Sequence, residues 1–215
     1  DFVDIEGDLK PRPRLRTRAK MLWDDTCFYV FAEMHEPHVW ATLTERDSVI
    51  FHDNDFEVFL NPEGGTTNYY ELEVNALNTQ WDLFLAKRYR DGGKADDGFN
   101  FKGLNTAVHV EGTLNAPSDS DTAWSIEIAI PWSSMDRHAD PADAPDNGEV
   151  WLINFSRVQW DLEHDGVTYT KTPNRPEHNW VWSPMGLVDM HLPTRWGRVR
   201  FEHRLPDGTP SSRDE

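Results

Sequence analysis

HDNDFEVFLNPEGGTTNYYELEVN, residues 52–75, alternates with period two on both sides of a Gly-Gly turn. In the first segment Phe56, Val58 and Leu60 share one face, and Asp55, Glu57 and Phe59 share the other. In the second, Tyr70, Leu72 and Val74 oppose Glu71, Glu73 and Asn75. Successive side chains leave a strand on opposite sides, so the pattern predicts two strands, each with an apolar face and an acid-rich face. If the strands pair, their carboxylates crowd together, and like charges placed opposite one another destabilise a sheet. An Arg, a metal or a hydroxyl-rich ligand would compensate them. The alternative is an ordinary water-facing side of an antiparallel sheet.

The same rhythm continues in both directions. Arg18 to Asp24 and Cys27 to His35 read as a hairpin turning at Asp24-Asp25-Thr26. Trp81–Ala86, Thr106–Glu111, Ala123–Ile130, Val150–Gln159, Val167–Lys171 and Trp196–Glu202 read as further strands. Trp124, Ile126, Ile128 and Ile130 form one core face, and Pro131-Trp132-Ser133-Ser134-Met135 can open a single helical turn. Residues 36–54 and 172–195 read as long loops, and 137–148 as a polar one. About ten short strands separated by turn signals, with no long helical period, predict an all-β antiparallel sandwich. No linker-like shift divides the chain, which predicts one domain over 1–203 and a mobile tail over 204–215.

Composition narrows the function classes. The chain has 215 residues, enough for a sizeable core, and its single cysteine, Cys27, excludes an intramolecular disulfide. A net charge of −17 argues against nucleic acid and anionic membrane as partners, because both need a basic footprint. No run is long and apolar enough for membrane insertion. There are ten tryptophans, whose broad apolar faces suit stacking on the C–H faces of sugar rings. Together with many carboxylates and amides they form the palette of a carbohydrate site.

The segments AKMLWDDTCFYVFAEM (19–34), DNDFEVFLNPEG (53–64), YYELEVNALN (69–78) and AWSIEIAIPW (123–132), followed by NWVWSP (179–184) and WGRVRF (196–201), keep a recognisable order. In that order the chain resembles the family 9 carbohydrate-binding modules over roughly residues 17 to 202. The resemblance implies a β-sandwich, jelly-roll or immunoglobulin-like, within the wider DOMON-like superfamily. It also implies a sugar held between two aromatic rings, structural calcium, no organic cofactor, a secreted, periplasmic or cell-surface location, and a catalytic domain tethered upstream. By motif, Trp182 falls on one stacking position, with Asn179 and Trp180 beside it, and Phe51 on the other, with His52 adjacent. Glu57 falls on a hydroxyl-binding carboxylate. The family's Arg on the next strand falls at Glu73, a reversal of charge.

The ligand-binding candidates are therefore Trp182, Asn179, Phe51, His52, Glu57, Glu71, Glu73, Asn75 and Trp180, and the metal candidates are Asp53 and Asp55. Closely spaced carboxylates are the hard oxygen donors that calcium takes. The leading expectation is non-catalytic binding of a plant-type polysaccharide of the cellulose or xylan class. A competing expectation is a polysaccharide-active enzyme, with Glu57 and either Glu71 or Glu73 as its carboxylate pair and His52 as a further acid/base. A third, drawn from the superfamily, is haem binding with Met34 and His109 as axial ligands.

Overall fold

The computed structural model describes residues 1–135 and 144–202; the tail expected over 204–215 and most of the 137–148 loop lie outside them. Fourteen strands occur among the described residues: β1 (Val3–Asp4), β2 (Thr17–Trp23), β3 (Cys27–His35), β4 (Asp55–Asn61), β5 (Thr67–Asn75), β6 (Gln80–Lys87), β7 (Ala95–Asp96), β8 (Asn105–Glu111), β9 (Ala123–Pro131), β10 (Val150–Gln159), β11 (Leu162–His164), β12 (Tyr169–Lys171), β13 (His178–Val181) and β14 (Gly197–Arg200). The longer ones follow the alternation in the sequence to within about a residue or two. The short β1, β7, β11 and β13 carry too few residues for a period to register.

Two antiparallel sheets form a sandwich. The smaller has the order β2-β3-β9-β8, and the larger β1-β13-β10-β4-β5-β6-β7, with β14 pairing the first half of β10. The expected β2–β3 hairpin is closed by Asp24, whose Oδ1 accepts the Thr26 and Cys27 N–H groups at 2.7 and 2.9 Å. Between the sheets, Val30, Ala32 and Met34 and the expected Ile126, Ile128 and Ile130 meet Phe56, Val58, Leu60, Leu72, Val74 and Phe155. Trp132 opens the expected helical turn, Trp132–Ser134, and donates its indole N–H to the Asp24 carbonyl at 2.8 Å. That bond ties the end of β9 to the β2–β3 turn.

The large sheet is covered on both sides, which the sequence did not predict. Its outer face carries a second apolar cluster, in which Met185, Met190, Leu192 and Trp196 lie over Phe59, Tyr69, Leu83, Leu85 and Leu152. The segment that supplies this cover starts where Asn154 Oδ1 accepts the Ser183 N–H at 2.9 Å. It is clamped where the Met185 and Gly186 N–H groups donate to the Ile5 carbonyl at 2.8 and 3.0 Å. Every residue of β4 is buried as a result.

The haem ligand pair is not assembled. Met34 is wholly buried between the sheets. Its register partner Trp124 is paired in turn with Val110, so His109 points to the opposite, exposed face of the small sheet.

Candidate functional site

The strands β4 and β5 do pair, and their register sets Glu57 opposite Glu73, Phe59 opposite Glu71, and Asp55 opposite Asn75. The neighbouring strands extend the row through Glu57 and Glu73 to Ser156 on one side and Trp81 on the other. Glu57, Glu71 and Glu73 are only 5, 4 and 2 % exposed, so the acid-rich face is not a water-facing side of the sheet. The covering segment and the loop before β4 roof it over, apart from one opening.

That opening is a cavity of about 490 Å³ lined by Phe51, Glu57, Glu71, Glu73, Trp81, Tyr89, Asn179 and His191, with Val188, Asp189 and Met190 from the covering segment. Its floor is acidic. One wall is aromatic, the rings of Phe51 and Trp81 stacking at 6.4 Å between centroids. Across from them Tyr89 meets His191 edge-on at 4.5 Å. His191 is fixed by the Tyr69 hydroxyl at 3.0 Å from its Nδ1, and Arg90, which also lines the cavity, is ion-paired with Asp189 at 2.9 Å.

Burial and mutual repulsion shape the protonation of the floor. Desolvation first, and the neighbouring Glu57 charge next, push the Asp55, Glu71 and Glu73 carboxyls well above the usual range. Glu57 is raised by desolvation to about 7. His191 is pushed the other way by its burial, down to about 4, so it stands neutral in the wall.

Several polar atoms here have no hydrogen-bond partner within the protein. They are Glu57 Oε2, Glu71 Oε2, Asp55 Oδ2, the Ser156 hydroxyl and the Trp81 indole nitrogen. Buried polar groups are paired in the great majority of cases, so an unpaired group in a native fold asks for a missing partner. Here Glu57, Glu71 and Trp81 line one cavity, which offers two acceptors and one donor to whatever enters.

Of the candidates named from sequence, the structure brings Phe51, Glu57, Glu71, Glu73 and Asn179 together. It separates the others. Asn75 donates to the Leu43 carbonyl and to Asp53, and accepts the Leu77 and Thr79 N–H groups, so its amide is committed to holding loops. Asp53 accepts the Thr42 and Leu43 N–H groups at 2.7 and 2.8 Å and the Thr42 hydroxyl, anchoring the segment that carries Phe51. It lies outside the group Asp55, Glu57 and Glu73, whose carboxylate oxygens all come within 4.8 Å of one another. His52 is exposed, outside the cavity lining.

Trp180 and Trp182 turn away for a simple reason. The segment expected as loop is a strand, β13, paired with β10, so side chains alternate along it. Asn179 faces the cavity, while Trp180 enters the core between the sheets. Trp182 packs against that core, 5.7 Å from the Phe155 ring and over Gly197, where an added Cβ would approach the indole to 2.2 Å. Trp81 escaped the sequence reading although its signal was present, since Trp81, Leu83 and Leu85 alternate. Tyr89 and His191 lie outside any periodic pattern.

A family model described as carbohydrate family 9 binding domain-like matches residues 3–202. Among curated proteins, the chain is 24% identical to Exoglucanase XynX of Acetivibrio thermocellus over 117 residues, 54% of this chain and 9% of that protein. It is 23% identical to Endo-1,4-beta-xylanase A of Thermoanaerobacterium saccharolyticum over 131 residues, 61% of this chain and again 9% of the relative. The chain thus spans about a tenth of the length of these relatives. Among solved structures, a proposed carbohydrate-binding protein from Bacteroides uniformis superposes with TM-score 0.69 at 17% identity, covering 94% of this chain and 85% of the other. A family 9 carbohydrate-binding module from Caldicellulosiruptor kristjanssonii, solved with glucose, gives TM-score 0.56 at 14% identity over 96% of this chain and 86% of the other. These likenesses agree with the antiparallel sandwich described above.

Proposed function

This chain belongs to the carbohydrate family 9 binding domain-like family, and we propose that it is a non-catalytic carbohydrate-binding module whose sugar site is the cavity over Glu57, Glu71 and Glu73. The observation that carries the proposal is the set of unpaired polar atoms at that cavity, Glu57 Oε2, Glu71 Oε2 and the Trp81 indole nitrogen, beside the stacked Phe51 and Trp81 rings. A pyranose supplies what each lacks: hydroxyl protons for the carboxylates, a hydroxyl oxygen for the indole N–H, and a C–H face for the rings. Bonds from hydroxyls to an ionised carboxylate are charge-assisted and short, and Glu57, raised to about 7, is the readier of the two to ionise. Asn179, at the rim, adds both a donor and an acceptor.

Glucose and its β-linked oligomers are the first ligands to try, since solved modules with this fold hold glucose and cellotriose. Xylo-oligosaccharides come next, since curated relatives are named as an exoglucanase and a xylanase. The same relatives support a place for the module beside a catalytic domain. A hydrolytic reading would rest on Glu57 with Glu71 or Glu73 alone, since His52 lies outside the cavity; release of reducing ends from cellotriose or xylotriose would favour it over binding.

Calorimetric titration with glucose, cellotriose and xylotriose, with Trp81→Ala alongside, tests the proposal. Saturable binding to one of them, lost in the variant, supports it; wild-type protein that is folded and binds none of the three sinks it.

A further inference from the structure

The floor of the cavity has an arrangement that sugar hydroxyls alone do not explain. Asp55, Glu57 and Glu73 each bring a carboxylate oxygen to within 4.8 Å of the others. Asp55 is wholly buried beneath the cavity, and its Oδ2, like Glu57 Oε2, has no hydrogen-bond partner. The Ser156 hydroxyl, across from Glu57 on β10, is wholly buried and faces the Glu57 carboxyl. No Arg or Lys among the described residues forms an ion pair with these three acids: Arg90 is paired with Asp189, and Arg157 on β10 turns to the other face and pairs with Glu36. Three acids held this closely, with Asp55 Oδ2 and Glu57 Oε2 left without a partner and no cationic side chain paired to them, lack a positive charge of small radius.

We propose that Asp55, Glu57 and Glu73 hold a divalent cation of the calcium class at the floor of the cavity, and that the ion presents open coordination positions to vicinal hydroxyls of the sugar. Calcium–oxygen distances of about 2.3–2.6 Å put two ligands of one ion at most about 5 Å apart, a span these three oxygens meet. Calcium takes about six to eight oxygens, more than three carboxylates and Ser156 fill if each binds through one atom, so positions remain on the cavity side. A magnesium ion demands a stricter octahedron and keeps its waters, which a cage of carboxylates on adjacent strands suits poorly. This site is not the Asp53 and Asp55 pair suggested by sequence, because Asp53 is occupied with Thr42, Leu43 and Asn75. The second half of the proposal, coordination of sugar hydroxyls, rests on the cavity being the sugar site.

The test uses chelator-stripped protein at about 150 mM salt, where diffuse attraction of cations to the acidic surface is screened. Calcium is titrated into wild type, Asp55→Asn and Glu73→Gln, with circular dichroism to confirm that each is folded. Cellotriose is then titrated into wild type with calcium and with EDTA. The expected result is one calcium site weakened about tenfold or more in either folded variant, and cellotriose binding that falls by a similar factor in EDTA. If Asp55→Asn fails to fold, Glu73→Gln decides alone. Absent calcium binding, or calcium binding unchanged in the variants, overturns the cation site. Cellotriose binding of equal strength in EDTA overturns the coordination of sugar while leaving the sugar site intact. Calcium binding at the cluster with no cellotriose binding in either buffer overturns the sugar site instead.

Discussion

Glu57 and Glu73 sit directly opposite one another across the β4–β5 pair, both buried. Opposed like charges work against pairing of the strands that carry them, so the sheet is less stable here than an isosteric neutral pair would make it. A fold that keeps such a pair at the floor of a cavity gives up stability for binding, as functional sites commonly do.

Glu73→Gln should therefore raise stability. The amide keeps an oxygen for the Phe51 N–H, which Glu73 Oε2 now accepts at 2.9 Å, and it removes one of two facing charges. In EDTA at alkaline pH, where the raised Glu57 and Glu73 carboxyls are ionised, urea unfolding should show a gain of about 1 kcal/mol, with sugar affinity reduced. A loss of stability would mean that the Glu73 charge is compensated within the protein.

Phe51→Ala and Trp81→Ala should each weaken sugar binding by about tenfold, since an aromatic stack is worth roughly 0.5–1.5 kcal/mol beyond the area it buries. Both rings stand at the cavity wall, and Phe51 is only part-buried, so the variants should stay folded.

Trp182→Ala separates structure from resemblance. The indole lies on Phe155 and over Gly197, away from the cavity. Its truncation should lower stability by about 3 kcal/mol, while the folded fraction binds sugar with unchanged affinity. An affinity loss with stability intact would place the stacking ring at Trp182 after all.

Asp53→Ala should cost both. It leaves the Thr42 and Leu43 N–H groups without their acceptor and the Asn75 amide with only one of its two, the Leu43 carbonyl, at about 1–3 kcal/mol for each unsatisfied group. It also frees the segment that positions Phe51, so sugar affinity should fall although Asp53 touches no ligand.

His191 gives a pH dependence of defined sign. Its folded pKa is depressed from 6.5 to about 4, so between those values the unfolded chain holds the extra proton. The contribution of neutral His191 is complete above pH 6.5 and is lost as pH falls toward 4, by about 3 kcal/mol in all. The stability difference between wild type and His191→Gln, followed by urea unfolding from pH 7 to 4, should shrink by that amount. A difference constant with pH would mean that the ring is solvated.

Much of this was legible in the sequence. Period two in 55–61 and 69–75 gave the two strands and their acid face, and the apolar alternation of 123–130 gave the opposing core. Which face would be buried was not legible, because the cover comes from Met185, Met190, Leu192 and Trp196, whose spacing follows the path of an irregular chain and no repeat. The same gap hid Tyr89 and His191. Asn179 and Trp182 show the limit from the other side: the motif identified the segment, but only its pairing with β10 tells which of its side chains faces the cavity.

The most direct measurement is nuclear magnetic resonance of 15N-labelled protein titrated with cellotriose, following the indole N–H signals, with Trp81 assigned by Trp81→Phe. The Trp81 indole N–H has no acceptor within the protein, so on binding it should move downfield saturably, together with the Asn179 side chain, while Trp182 stays still. Saturable shifts at Trp182 with Trp81 unmoved, or no shift at any tryptophan across cellotriose, xylotriose and glucose, would contradict a sugar site over Glu57, Glu71 and Glu73.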